Sequence, residues 1–352
     1  MEACSSHVAH PTSPLLTRLC GEMVGPQMIS AEADNRLRYA GGQAGHVESH
    51  FLKANSPDGE RAIWIKHTLL VPAQRPEEAI GEVWAIAFAQ RGTRKLAVKR
   101  SFPLSQLHSR AEPFELRAPC AELTSHRARG ELDGLAWQLE LDPIAPPFRP
   151  FALEGMYTGR FPRSKSLTPI PDASLRGEFS AFGERWDLAS WRGAQGHNWG
   201  VSHAHAYAWA HCNAWRDAPG VWFEALTGKV RLGRFITPWL SVAGFAFEGR
   251  VYRFDGPRAL GSRKIEIDAR SYRLELHQAG ASVRAEFRAE REQLAGLNYR
   301  DPDDGLLACL NSKLACGRLT FNDGAREIVL HTDQAALELG TRESGHGVAM
   351  LA

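Results

Sequence analysis

Bulky and small side chains alternate over many short stretches of this chain, and the alternation predicts strands far more often than helices. The most regular run lies within Trp191–Trp215, WRGAQGHNWGVSHAHAYAWAHCNAW. From Ser202 onward, His203, His205, Tyr207, Trp209, His211, Asn213 and Trp215 share one parity. Ala204, Ala206, Ala208, Ala210, Cys212 and Ala214 share the other. Successive side chains on a strand point to opposite faces, so 202–214 is predicted as a strand with one polar-aromatic face and one alanine face. A helix would scatter the histidines over more than half its circumference. The alanine face suits close approach of another layer, and the opposite face suits a cavity that holds and orients an apolar molecule. The plainer alternative is a crowded core in which every polar tip finds a hydrogen-bond partner.

The same grammar recurs along the chain. Segment 61–71 (RAIWIKHTLLV) is bounded by Ser56-Pro57-Asp58-Gly59 and Pro72, and 82–89 sets Trp84, Ile86 and Phe88 against Val83, Ala85 and Ala87. A hairpin is predicted over 176–188 with its turn at Phe182-Gly183, and another over 318–331 turning at Asn322-Asp323-Gly324. Helix candidates are few: Asp333–Leu339 and Pro76–Ile80. The proline-rich Pro143–Pro150 reads as a linker or as a loop over a barrel mouth, because proline is excluded from strand interiors. Many short strands with closely spaced turns predict an all-β protein of two antiparallel barrel-like domains. The expected boundaries are a lead-in over 1–35, an N-terminal barrel over 36–160 and a C-terminal barrel over 161–345 carrying the central strand.

A length of 352 residues fits two domains, and 43% hydrophobic with 23% charged residues fits a globular core. The net charge of +2 gives no reason to expect nucleic acid. The six cysteines contain no C-x-x-C pair, which suits reduced thiols. No run approaches the roughly 18 apolar residues of a membrane span, and the N-terminus lacks the charged-then-apolar order of a signal peptide. A cytoplasmic location is the expectation.

The H-x-H pair His203/His205 can place two imidazoles on one face, but two ligands are too few for a closed metal site, and His211 lies six residues further on. There is no G-x-S-x-G elbow, dinucleotide fingerprint or phosphate-binding loop. Cys212, on the alanine parity, reads as a core filler. Gly193, Gly196 and Gly200 surround His197-Asn198-Trp199 and predict a bend that aims His197 and Asn198 into the pocket.

The order W-R-G-x-Q-G-H-N-W-G, followed by a strand ending W-A-H-C-N-x-W, resembles the lipocalin-like double-barrel proteins grouped with hydroxyneurosporene synthase (carotenoid 1,2-hydratase) and, more distantly, tocopherol cyclase. Glu48–Asn55, the Trp64 strand, Cys309–Ala315 and Ala335–Leu339 add weaker similarity. The resemblance implies two lipocalin-like barrels with a hydrophobic pocket, and hydration, cyclisation or pericyclic ring closure of isoprenoid or polyketide-like molecules without a cofactor. Other members of the group bind lipids. In relatives close to the hydratase an aspartate precedes the motif histidine, where this chain has Gly196.

The combined expectation is a cofactor-independent isomerase, cyclase or hydratase acting on a small hydrophobic molecule. His197, His203 and His205 are the candidate acid/base or orienting groups. Asn198, Tyr207, Trp209, His211 and Asn213 are candidate lining, flanked by Trp199 and Trp215, with no metal. The alternatives are a non-catalytic lipid or terpenoid carrier and, more remotely, a metal enzyme using the H-x-H pair.

Overall fold

A computed structural model describes residues 30–262 and 264–352, so most of the expected lead-in lies outside the described residues. Its last part forms a short helix, Ala31–Asn35. All the strand ladders are antiparallel, and they form two large sheets and one small hairpin. Among the described residues, helical segments are no longer than five residues. The protein is all-β, with two lipocalin-like barrels.

The first sheet has 12 strands. Its middle runs Ile80–Ala89, Ala62–Val71, His46–Asn55, Trp191–Gly200, Ser164–Ala181 and Leu135–Pro143. The sheet curls until Ile63 and Val83 share a core with Leu116 and Leu139 from its other end. The second sheet has 10 strands, centred on Trp222–Lys229, Ala206–Cys212, Glu327–Thr341 and Leu306–Asn322. It encloses its own core, which contains Ala208, Ala210 and Cys212.

Every residue of Ala62–Val71 is buried, because both faces of that strand are covered. Ile63 and Ile65 point into the first barrel, while Trp64 points the other way and joins Trp84, Ile86 and Phe88 against Leu297, Tyr299, Leu307 and Leu314 of the second barrel. The alternation of large and small residues over 82–89 thus separates a barrel–barrel interface from a barrel interior. A buried indole removes about 150–250 Å² from water, so Trp64 and Trp84 each contribute at most roughly 4–6 kcal/mol at about 25 cal/mol per Å².

Several expectations need correction. The strand predicted over 202–214 spans only Ala206–Cys212. Residues 201–205 carry the chain from the first sheet to the second, and their backbone bonds leave the ladder: the His203 N–H donates to Asp301 Oδ1 at 2.6 Å, and the His205 N–H to the Lys229 carbonyl at 2.8 Å. The sheet change therefore falls here and not at residue 161, because Ser164–Ala181 and Trp191–Gly200 pair within the first sheet. Beyond residue 345, Val348 packs in the second core. Pro143 ends a strand of the first sheet, and residues 144–150 begin the connection to its neighbour; Phe148 there reaches Trp222 of the second barrel at 5.1 Å between ring centroids.

Asp333–Leu339 is strand, not helix. It lies inside Glu327–Thr341, paired along both edges, and Ala335–Leu339 is buried throughout, so its apolar run reflects two covered faces. Pro76–Glu78 is a single 3-10 turn. The glycines of Trp191–Gly200 make no bend. They sit in a regular strand and permit close approach: a Cβ on Gly196 would overlap the Phe51 ring, and one on Gly200 would overlap the Arg163 carbonyl. The irregularities are in the neighbouring strand, between Leu167 and Ala173.

Candidate functional site between the barrels

The expected site residues divide among three places. His197 and Trp199 point into the first barrel, away from the second. His197 is fully buried, with Nε2 2.8 Å from Glu48 Oε1 and Nδ1 2.6 Å from the Asp34 carbonyl. Both ring nitrogens are thus held by protein oxygens. Glu48 also accepts from His46 Nε2 (2.9 Å) and from the N–H groups of Arg38 and Tyr39 (2.7 and 2.9 Å). His50 stacks on His197 at 3.9 Å and reaches the Asn35 carbonyl at 2.7 Å. The cluster fastens residues 34–39 to the mouth of the first barrel.

Glu48, His50 and His197 lie close enough together to hold a metal ion. Both Glu48 oxygens and both His197 nitrogens already have protein partners, so an ion would have to displace several hydrogen bonds. The arrangement reads as structural.

Tyr207, Trp209, Asn198, His203 and His205 border a cavity of ≈ 560 Å³ between the barrels. That volume lies within the roughly 300–1,000 Å³ of small-molecule sites. The wall is apolar where Phe51, Trp64, Trp209, Leu226 and Val242 meet. Phe51 meets Trp209 edge-on at 5.4 Å. The Trp209 Nε1–H donates to Glu224 Oε1 at 2.9 Å, and Glu224 also accepts from the Thr168 hydroxyl. Burial pushes the Glu224 carboxyl up.

His203 is set differently from His197. Its Nδ1 lies 2.7 Å from Asp301 Oδ1, and its ring stacks on Tyr299 at 5.5 Å. Arg342 holds the other oxygen of Asp301. Burial alone would raise the Asp301 carboxyl, but the His203 and Arg342 hydrogen bonds prevail and hold it at about 2. An ionised carboxylate opposite Nδ1 places a proton on that nitrogen and leaves Nε2 for the cavity side. His205 stands at the rim, with Nδ1 3.2 Å from an Arg231 guanidinium nitrogen; burial and then that charge push its pKa down. The two histidines have separate partners and, among the described residues, share no metal-like cluster.

His211 and Asn213 share the face of Tyr207 and Trp209 but lie beyond the cavity. His211 is fully buried, bonded through Nε2 to the Pro171 carbonyl at 2.9 Å, and burial keeps its pKa well below the ordinary value. Asn213 bridges the barrels: it accepts from Lys53 Nζ at 2.6 Å and donates to Asp172 and to the Gly193 carbonyl. Asn213 and Trp215 border a second, more polar cleft at the far end of the interface.

Sequence reasoning missed Asp301, Arg342, Tyr299, Lys66 and Glu338, all of which border the cavity. Four come from the last 60 or so residues of the chain and carry no motif. The available signal was Lys66, a lone charge inside the apolar run IWIKHTLLV.

No family model matches the chain. An uncharacterised protein of Mycobacterium tuberculosis is 23% identical over 301 residues, covering 84% of this chain and 88% of that one. Among solved structures, CghA with Sch210972 superposes with a TM-score of 0.58 at 11% identity, covering 84% of this chain and 88% of that one. Kievitone hydratase from Nectria haematococca gives 0.53 at 8% identity, with coverage of 90% and 93%. An AttH protein from Nitrosomonas europaea gives 0.50 at 12%, with 84% and 92%. These likenesses show the fold, the lipocalin-like double barrel that the sequence motif implied.

Proposed function

We propose that the protein is a cofactor-independent enzyme that isomerises, cyclises or hydrates a hydrophobic isoprenoid- or polyketide-like molecule in the cavity between its barrels. The observation that carries this reading is the His203–Asp301 pair at the wall of an aromatic cavity. Held by Asp301 through Nδ1, His203 has the arrangement of a general base whose Nε2 takes a proton from one atom and returns it at another. Such a transfer rearranges or closes a ring with no net change in atoms; in a hydration, the proton taken from water passes through the same nitrogen. Trp64, Trp209 and Phe51 fold a flexible substrate into a reactive shape or face a developing cation. The kinship in fold with kievitone hydratase and CghA supports chemistry of this class. His205 serves at the rim, and His197 has a structural part.

The test is to incubate the protein with a hydrophobic cell extract and identify bound and converted molecules by mass spectrometry. Wild type is expected to release an altered molecule. His203→Ala is expected to retain the unaltered one, with turnover lower by about 10²–10⁴-fold. A ligand recovered unchanged from both proteins would establish a carrier instead.

A further inference from the structure

Lys66 is 5% exposed and borders the cavity between the barrels. Among the described residues its ammonium has no carboxylate within ion-pair distance and no hydrogen-bond acceptor. It lies over the face of Tyr299, with Nζ 3.7 Å from the ring centroid; the Trp64 ring lies 5.7 Å away. The other buried lysines of the interface are satisfied. Lys53 donates to Asn213 and Asn55, and Lys313 donates to Glu338 at 2.8 Å and to Asn311 at 2.6 Å. A buried cation left without a partner is costly, and an aromatic face offsets only part of that cost.

The cavity's charge is biased the same way. Its lining holds five lysines and arginines against three carboxylates, and those carboxylates are engaged: Asp301 by His203 and Arg342, Glu338 by Lys313 and Asn311, Asp303 by the Gly305 N–H. Tyr299 touches both the Lys66 ammonium and the His203 ring, so a ligand oxygen at Lys66 would lie near the proton-transfer pair.

Building on the cavity's proposed role, we infer that its ligand is a hydrophobic anion, a carboxylate or acidic enol, whose charged oxygen binds Lys66 while its apolar part fills the space beside Trp209 and Leu226. Lys66 then selects such molecules over neutral ones of equal size. In the reaction it steadies negative charge on the oxygen while His203 moves the proton.

Two fluorescent probes with one aromatic skeleton separate the possibilities: anilinonaphthalene sulfonate, which is anionic, and phenylnaphthylamine, which is neutral. Wild type is expected to bind the anionic probe more tightly. Lys66→Met is expected to weaken that probe by about tenfold or more, the scale of a lost charge-assisted hydrogen bond, and to leave the neutral probe within about twofold. A wild type that prefers the neutral probe overturns the inference without recourse to any variant. Equal effects of Lys66→Met on both probes overturn it too. Leu226→Trp, which narrows the cavity, serves as the control for the cavity itself. If it reduces binding of neither probe, the cavity reading fails, and the Lys66 inference with it.

Discussion

Glu48 is 1% exposed yet receives hydrogen bonds from two imidazoles and two backbone N–H groups. Burial acts to raise its carboxyl, but the His197 and His46 bonds outweigh that and hold it well below the ordinary 4.5. A folded-state value below the unfolded one stabilises the fold above about pH 4.5, and the gain is lost as pH falls further. Glu48→Gln is expected to cost about 3–5 kcal/mol in urea unfolding at pH 7, as the loss of one partner in a buried pair does. It should also flatten stability against pH below 4.5. The part contributed by His50, which burial keeps neutral well below its ordinary 6.5, remains in that variant. At the cavity, Asp301→Asn separates positioning from binding. The amide cannot hold His203 and Arg342 as the carboxylate does, so turnover should fall by about 10²–10⁴-fold while ligand affinity stays near wild type.

Among the elements, the strand pairing of Trp191–Gly200 with His46–Asn55 sets Gly196 opposite Phe51. The resemblance places an aspartate at position 196; here the Phe51 ring fills that space and forms cavity wall against Trp209. Gly196→Ala should therefore destabilise by about 1–3 kcal/mol through overpacking, and Phe51→Ala in the same chain should recover part of the loss. A double-mutant cycle by urea unfolding reads the coupling; additive effects would show that the two side chains do not compete for the space. What was legible in the sequence follows the same logic. The parity of Tyr207 to Asn213 was readable because the alanine face packs into the core of its own barrel and the other face meets the first barrel. Asp333–Leu339 misled because its own barrel core covers one face of Ala335–Leu339 and the barrel interface the other, which erases the alternation. His203 was expected on the strand but lies in the crossover before it. Its Asp301 partner was invisible because a sequence separation of 98 residues leaves no local pattern.

The whole molecule is held together by a polar interface as well as an aromatic one. Lys53 of the first barrel donates to Asn213 of the second, Thr168 to Glu224, and Asn55 to the Lys313 carbonyl. Lys53 is fully buried, and burial brings its ammonium down from 10.5 to about 8. Between those values the unfolded chain keeps a proton that the folded one has released, so stability rises with pH. Lys66 and Lys313, also brought down by burial, act in the same direction. Cys212 and Cys309, whose thiols burial raises, act in the opposite direction above their ordinary 9, and Tyr207 and Tyr272 do so above 10, so the useful range ends near 9. Urea unfolding between pH 8 and 9 should therefore show wild-type stability increasing, and Lys53→Met should remove its share of the slope. The slope is the proper reading, since the variant also strips Asn213 and Asn55 of a donor and shifts the absolute value by a separate amount. Because these bonds tie both barrels, circular dichroism and tryptophan fluorescence should report one transition at each pH. Two transitions, with the Lys53 slope in only one, would mean that each barrel stands alone and that the cavity between them is held by packing without the polar ties.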